Sequence, residues 1–155
     1  MMQARAWTTA DLAFMGRALT LARAQMGHTG VNPAVGCVIV RDGLILGEGA
    51  TATGGRPHGE AVALQQARAP HNTQGACLYV TLEPCAHQSP RGPTCCQIIA
   101  QSGITHVIAA LKDPDPRTSG QGFAHLIAAG IKVEIGLLAS EAQAIMADYL
   151  ARVGG

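Results

Sequence analysis

The stretch ACLYVTLEPCAHQSPRGPTCCQIIAQSGITHVIAAL, residues 76–111, reads as strand, loop, helix and strand, and its reading sets how the rest of the chain is arranged. Ala76 to Leu82 is an apolar run of strand length, and Thr94 to Ser102 makes a short helix closed by Gly103. His106 to Leu111 is a second strand. Two strands joined through a helix favour a parallel, right-handed crossover.

On the amino-terminal side, Thr8-Thr-Ala-Asp11 resembles a capping box, and Leu12, Met15, Leu19, Ala22 and Met26 recur at helical spacing until Gly27. Pro33 to Val40 and Leu44 to Gly49 are apolar runs separated by Arg41-Asp-Gly43, which predicts an antiparallel hairpin. After a polar, Gly-rich loop from Thr51 to Pro57, residues His58 to Ala69 read as a helix with His58 and Glu60 in its first turn. On the carboxyl side, Asp113-Pro-Asp-Pro116 forces an extended loop. A helix over Gly122–Ala129, a strand over Ile131–Ile135 and a last helix over Ser140–Arg152 complete the chain. The expectation is an α/β fold, a three-layer α/β/α sandwich with a mixed five-stranded sheet, binding its ligand at the carboxyl ends of the strands.

The 155 residues fit one compact domain, with no repeat, low-complexity tract or interdomain linker. Hydrophobic residues are 48%, charged residues 14% and the net charge +1, which points to a small-molecule or protein partner. With 3% aromatics and no basic run, general nucleic-acid binding is disfavoured. No apolar run approaches a membrane span, and the first residues lack a secretory core, so a cytoplasmic address is expected. The apolar, aromatic-poor composition also favours a homo-oligomer. Five cysteines, three of them within residues 81–96, point to metal or catalysis instead of a disulfide framework.

His58 at a helix start, Cys85 at a strand end and Cys95 at the next helix start bring three ligands to one edge of the sheet. Such a set suits tetrahedral zinc with the fourth position left for water, the form of a catalytic site. Zinc lowers the pKa of bound water from 15.7 to about 7. Glu60, two residues from His58, points away from the ligand direction, where a proton shuttle must stand. His-x-Glu followed by Pro-Cys and a further Cys is the signature of zinc deaminases. Cys37 and Cys77 read as small core residues, while His28, His71, His106 and His125 have no partner at a recognisable spacing.

His58-Gly-Glu60, Tyr79-Val-Thr-Leu-Glu-Pro-Cys-Ala-His87, Arg91 and Pro93 before Cys95, and Asp113-Pro-Asp-Pro116 together resemble the pyrimidine deaminase domain of bacterial riboflavin biosynthesis. The matches run from about Asn32 to Arg152. That resemblance implies a cytidine deaminase-like fold and hydrolysis of a ring amine of 2,5-diamino-6-ribosylamino-4(3H)-pyrimidinone 5′-phosphate, beside a reductase fused or encoded separately. It implies His58, Cys85 and Cys95 as zinc ligands and Glu60 as proton shuttle. Asn32, His87, Arg91, Asp113 and Asp115 are implied as substrate contacts.

Departures from the family pattern bear on the substrate. Gly59 replaces a common Ala and could let a substrate approach the backbone. Thr51 and Val62 stand where His is common, Asp115 replaces an Asn, and the loop before Cys95 is one residue longer than usual. Another small base or nucleoside, such as cytosine or guanine, and a non-catalytic zinc-stabilised subunit are the rival readings. Cys95 and Cys96 point about 100° apart on a helix and cannot both face a metal. Cys95, sharing its face with Ile98 and Ile99, is the expected ligand and Cys96 the surplus one.

Overall fold

A computed structural model describes residues 6–87, 90 and 92–154. Helix α1 (Thr9–Ala24) starts at Thr8, whose Oγ1 accepts the Asp11 amide at 3.0 Å while the Asp11 carboxylate accepts the Thr8 amide at 3.1 Å. This reciprocal pairing satisfies two donors that a helix start otherwise leaves open. Strands β1 (Gly36–Arg41) and β2 (Leu44–Ala50) form the expected hairpin, turned at Asp42 and Gly43, both with positive φ. There follow α2 (Gly59–Gln66), β3 (Cys77–Val80), α3 (Cys95–Ala100), β4 (His106–Ala109), α4 (Gln121–Ala128), β5 (Lys132–Ile135), α5 (Ala139–Ile145) and α6 (Ala147–Gly154).

The strands lie in the order β2-β1-β3-β4-β5, with β1 antiparallel to both neighbours and β3, β4 and β5 parallel. Helices α1 and α5 pack together on one face, and α2, α3 and α4 form a row on the other. Gly36 sets the first layer close: a methyl there would overlap the Ala18 carbonyl, so the α1 backbone lies directly on β1. Met15, Ile39, Leu78, Ile108 and Leu126 fill the interior between the layers. Cys37 belongs to this core, whereas Cys77 is half-buried at its margin. Among the described residues no helix is long and apolar enough to cross a membrane.

The helix expected over Ser140–Arg152 is instead two helices, broken at Met146. Ala142 and Met146 are buried on the core, while no residue of α6 is buried. The first half is held by buried residues, and the second by the partly buried Tyr149 and Leu150 at the core's margin together with the Tyr149 hydroxyl on Asp113. Two different anchors require a bend between them. His106 also has a partner that its sequence spacing does not disclose: its Nε2 lies 2.6 Å from Glu134 Oε1 across the β4–β5 pair.

Because β1 runs against the other four strands, its start meets the ends of β2, β3 and β4 at one edge of the sheet. The segments 29–35, 51–58, 81–87 and 111–118 all leave from this edge.

Candidate active site

Helix α2 begins one residue later than its sequence suggests, so His58 is its N-cap, with extended backbone, and Glu60 lies in the first turn. Gly59 sits between them against β1: a methyl there would stand 2.6 Å from the Val35 carbonyl. The space opened by that glycine is therefore occupied by backbone and not by an approaching substrate. Docking α2 this tightly fixes the His58 ring at the mouth of the cleft.

Cys85 arrives from the next strand. The Glu83 amide donates to the Leu111 carbonyl at 2.9 Å, prolonging the β3–β4 pairing by hydrogen bonding up to Pro84, which has no amide to give. The first amides of α3 then hold Cys85 from the other side: Cys95 N–H donates to its Sγ at 3.3 Å and Cys96 N–H to its carbonyl at 3.2 Å. Thr94 and Gln97 cap this helix reciprocally, which sets the direction in which Cys95 projects.

The His58 Nδ1 lies 3.4 Å from Cys95 Sγ and 3.7 Å from Cys85 Sγ, and the three donor atoms all fall within 4.8 Å of one another. Tetrahedral zinc with about 2.3 Å to sulfur and about 2.0 Å to nitrogen requires an S···N edge of roughly 3.6 Å. The donor set therefore fits zinc both in chemistry and in spacing.

Cys96 takes no part. It is fully buried, and its thiol donates to the Pro84 carbonyl at 3.3 Å and the Gly122 carbonyl at 3.4 Å. Cys95, the cysteine expected from the sequence, is the one placed with His58 and Cys85 to bind a metal, but the face argument needs correcting. Cys96 and Ile99 are the residues buried in the core, while Cys95 and Ile98 line a second pocket on the other side of His58 and Cys85. The inward face of α3 is thus the surplus cysteine's face.

Among the protein's own groups the two ligand thiols are not equivalent. The hydrogen bond from Cys95, with that from His58, holds Cys85 down at about 4 against burial. The same bond, together with burial, pushes Cys95 up, so it is the thiol that donates. The hydrogen bond with Cys85 raises His58, against burial and the nearby Arg56 charge. A metal bound here displaces the remaining thiol proton, because thiolate is the ligand form. Glu60, only 3% exposed, is pushed up to about 7 by burial, opposed by the neighbouring His58.

A cavity of about 510 Å³ opens beside these residues, within the size range of small-molecule sites. His58, Glu60, Cys85, Asn32, His87, Asp113 and Asp115 all face it. Of the expected contacts, Arg91 lies outside the described residues. The others come together on separate supports. Asn32 donates its amide to the Gly55 carbonyl at 2.8 Å, and His87 Nδ1 meets Thr118 Oγ1 at 3.1 Å. Asp113 accepts from the Tyr149 hydroxyl at 3.0 and 3.1 Å, and burial raises its pKa. Asp115 is engaged by Arg117, whose Nη2 lies 2.6 Å from its Oδ2 and whose charge-assisted bonds hold the carboxyl below its ordinary range.

The departures from the family pattern now have physical roles. Thr51 is buried with its hydroxyl committed on both sides, accepting from the Val35 amide at 3.0 Å and donating to the Pro33 carbonyl at 2.9 Å. Val62 fills the space over Gly49 between α2 and β2.

Two residues of this site escaped the sequence reading. Glu83 is 2% exposed, and its carboxylate accepts the amides of Asp113 at 3.0 Å, Gly120 at 3.1 Å and Phe123 at 3.1 Å. It ties the ligand-bearing loop to the aspartate loop and to the start of α4. Its one sequence signal is a carboxylate placed directly before Pro84-Cys85 at the end of an apolar strand. Tyr149 sits 36 residues from Asp113, and nothing local announces the pair.

Comparison with known proteins agrees with this geometry. Residues 8–111 match the family model of the cytidine and deoxycytidylate deaminase zinc-binding region. Over 143 residues the chain is 44% identical to riboflavin biosynthesis protein RibD of Escherichia coli, covering 92% of this chain and 38% of that protein. It is 41% identical to the diaminohydroxyphosphoribosylamino-pyrimidine deaminase of Buchnera aphidicola from Schizaphis graminum, covering 92% of this chain and 95% of the relative. A solved structure of Acinetobacter baumannii RibD superimposes with a TM-score of 0.86 at 40% identity, over 94% of this chain and 40% of that one. The chain thus spans about two fifths of the length of the RibD proteins and nearly all of the Buchnera deaminase. On a matching family model, a shared fold and a zinc-compatible His-Cys-Cys corner, the chain belongs to the cytidine and deoxycytidylate deaminase zinc-binding family, alongside RibD and the Buchnera enzyme.

Proposed function

We propose that this chain is one zinc-dependent deaminase domain acting on 2,5-diamino-6-ribosylamino-4(3H)-pyrimidinone 5′-phosphate. Water replaces the ring amine, giving 5-amino-6-(5-phosphoribosylamino)uracil and ammonia. The observation that carries this reading is Glu60: a buried carboxyl, raised to about 7, in the same cavity as His58 and Cys85. A group titrating near neutral pH accepts and returns a proton with little penalty either way.

His58, Cys85 and Cys95 hold the zinc, which when bound supplies a Lewis acid that lets water lose a proton near pH 7. Glu60 takes that proton as the water oxygen joins the amine-bearing carbon and passes it to the ring nitrogen, then carries the remaining proton of the new hydroxyl to the departing amine. The carbon–nitrogen bond breaks and ammonia leaves with the electron pair, so no redox partner is needed. Asn32, His87, Asp113 and Asp115 orient the ring through their cavity-facing polar atoms, with Arg91 as a further contact. The Buchnera relative's name supports the substrate, and the net charge of +1 supports a small molecule over nucleic acid. A cytoplasmic address, self-association and a reductase acting beside the deaminase complete the reading.

Thr51 favours a second reading. Its hydroxyl is committed to backbone on both sides and offers nothing to a ligand where an imidazole is common. A related base such as cytosine or guanine is the rival substrate on that ground. Ammonia release by zinc-loaded protein from the ribotide, against a panel of free bases and nucleosides, separates the two. Turnover of the ribotide alone is expected; turnover of a free base alone overturns the substrate, and zinc-replete protein inactive on every compound overturns the enzyme.

A further inference from the structure

The cavity is lined by unlike charges on separate supports. Glu83, Asp113 and Asp115 belong to the ends of β3 and β4, and each has partners already: backbone amides, the Tyr149 hydroxyl and Arg117. Three arginines also line the cavity: Arg56, Arg117 and Arg152. Arg117 is committed through Nε and Nη2 to Asp115. Arg152 uses only Nη2, which donates to the Val31 carbonyl at 2.9 Å, while its guanidinium lies 5.8 Å from the Tyr149 ring centre. A guanidinium has five N–H donors, so Arg152 keeps most of its capacity. Arg56 makes no hydrogen bond or ion pair among the described residues.

These two arginines share one stitched rim. Arg152 on α6 holds Val31, the next residue Asn32 holds the Gly55 carbonyl at 2.8 Å, and Arg56 follows Gly55. The segments carrying both cations are thereby fixed to each other across the mouth, beside His58 and Glu60. Guanidinium groups with unused donors on a rigid rim suit the oxygens of a phosphate, which they bind with charge-assisted bonds.

We propose that Arg56 and Arg152 form the site for the phosphate of the substrate and so set the preference for a ribotide over a phosphate-free riboside. This rests on the pyrimidine ribotide reading above. The experiment compares wild type, Arg56→Gln, Arg152→Gln and the exposed, cavity-remote Arg23→Gln. Each is assayed for deamination of the ribotide and its riboside, and titrated with ribose 5-phosphate by NMR. Loss of either cavity arginine is expected to raise KM for the ribotide on the order of 10- to 100-fold. The same two variants weaken ribose 5-phosphate binding and leave the riboside unchanged, and Arg23→Gln behaves as wild type.

Unchanged ribotide KM in both cavity variants, or equal losses on ribotide and riboside, overturns the phosphate site while leaving the deaminase reading intact. Conversely, wild-type protein that releases no ammonia from the ribotide, yet binds ribose 5-phosphate through Arg56 and Arg152, overturns the reaction and keeps the anion site.

Discussion

Two glutamates face the same cavity at nearly the same exposure, 3% for Glu60 in the first turn of α2 and 2% for Glu83 just before Pro84 and Cys85. Glu83 is surrounded by backbone amides from Asp113, Gly120 and Phe123, so it behaves as a fixed acceptor that joins three segments. Glu60 lies beside the His58, Cys85 and Cys95 donors in the first turn of α2. Burial alone does not distinguish a structural carboxylate from a reactive one; the partners do. Burial raises both carboxyls, but at Glu83 the amides of Gly120, Phe123 and Asp113 oppose the rise, whereas Glu60 is carried to about 7 beside groups that exchange protons.

This contrast makes its strongest demand on matched substitutions. Glu60→Gln should lower kcat about 10²- to 10⁴-fold, the usual worth of a general acid–base group, with zinc content unchanged and the thermal midpoint within a few degrees of wild type. Glu83→Gln should do the reverse. It sets an NH₂ group against amide donors and is expected to lower stability by about 3 kcal/mol, or roughly 6–12 °C in Tm. The activity of the molecules that remain folded should stay within about tenfold. Denaturant melts and steady-state kinetics on the two variants check both halves.

The titration of Glu60 gives the next largest effect. Its carboxyl is raised by burial from 4.5 to about 7, so between those values the folded chain holds a proton that the unfolded chain has lost. The contribution of Glu60 to the stability of chelator-stripped protein should therefore be fullest below pH 4.5 and decline as pH rises to about 7, while Cys85, held at about 4, works in the opposite direction over the same interval. Comparing Glu60→Gln with the parent should show that part of the slope removed, in melts taken across the interval.

The smallest effect is expected at Cys96, and its neighbour Cys95 supplies the contrast. Cys96→Ser should cost about 1 kcal/mol, since a hydroxyl can still donate to the Pro84 or Gly122 carbonyl, and should keep full zinc. Cys95→Ser should lose the metal. Zinc retained by the second variant and lost by the first would place the wrong residue in the site.

The metal corner was legible because its donors are punctuation as well as chemistry. His58 and Cys95 stand at helix starts and Cys85 at a strand end, so finding the elements also finds the ligands. Strand directions followed from the same logic, since helices link β3, β4 and β5 while a two-residue turn links β1 and β2, whereas the order that puts β1 beside β3 did not. Contacts that depend on how distant segments meet stayed hidden. Glu83 joins residues 30 to 40 positions away, and Tyr149 joins one 36 positions away. The break at Met146 was equally invisible, because the residues on both sides are good helix formers and only their different anchors separate α5 from α6. On α3, two adjacent cysteines gave the ligand but not the inward face, since both lie where burial is high.

The most direct measurement is zinc content and ammonia release from the ribotide on one sample of wild-type protein, through chelation and zinc restoration. About one zinc per chain is expected, with ammonia release falling as the metal is stripped and returning when it is restored. Full zinc with no ammonia released, or release that persists after the metal is gone, would contradict the assignment of His58, Cys85, Cys95 and Glu60 to zinc-dependent deamination of this substrate.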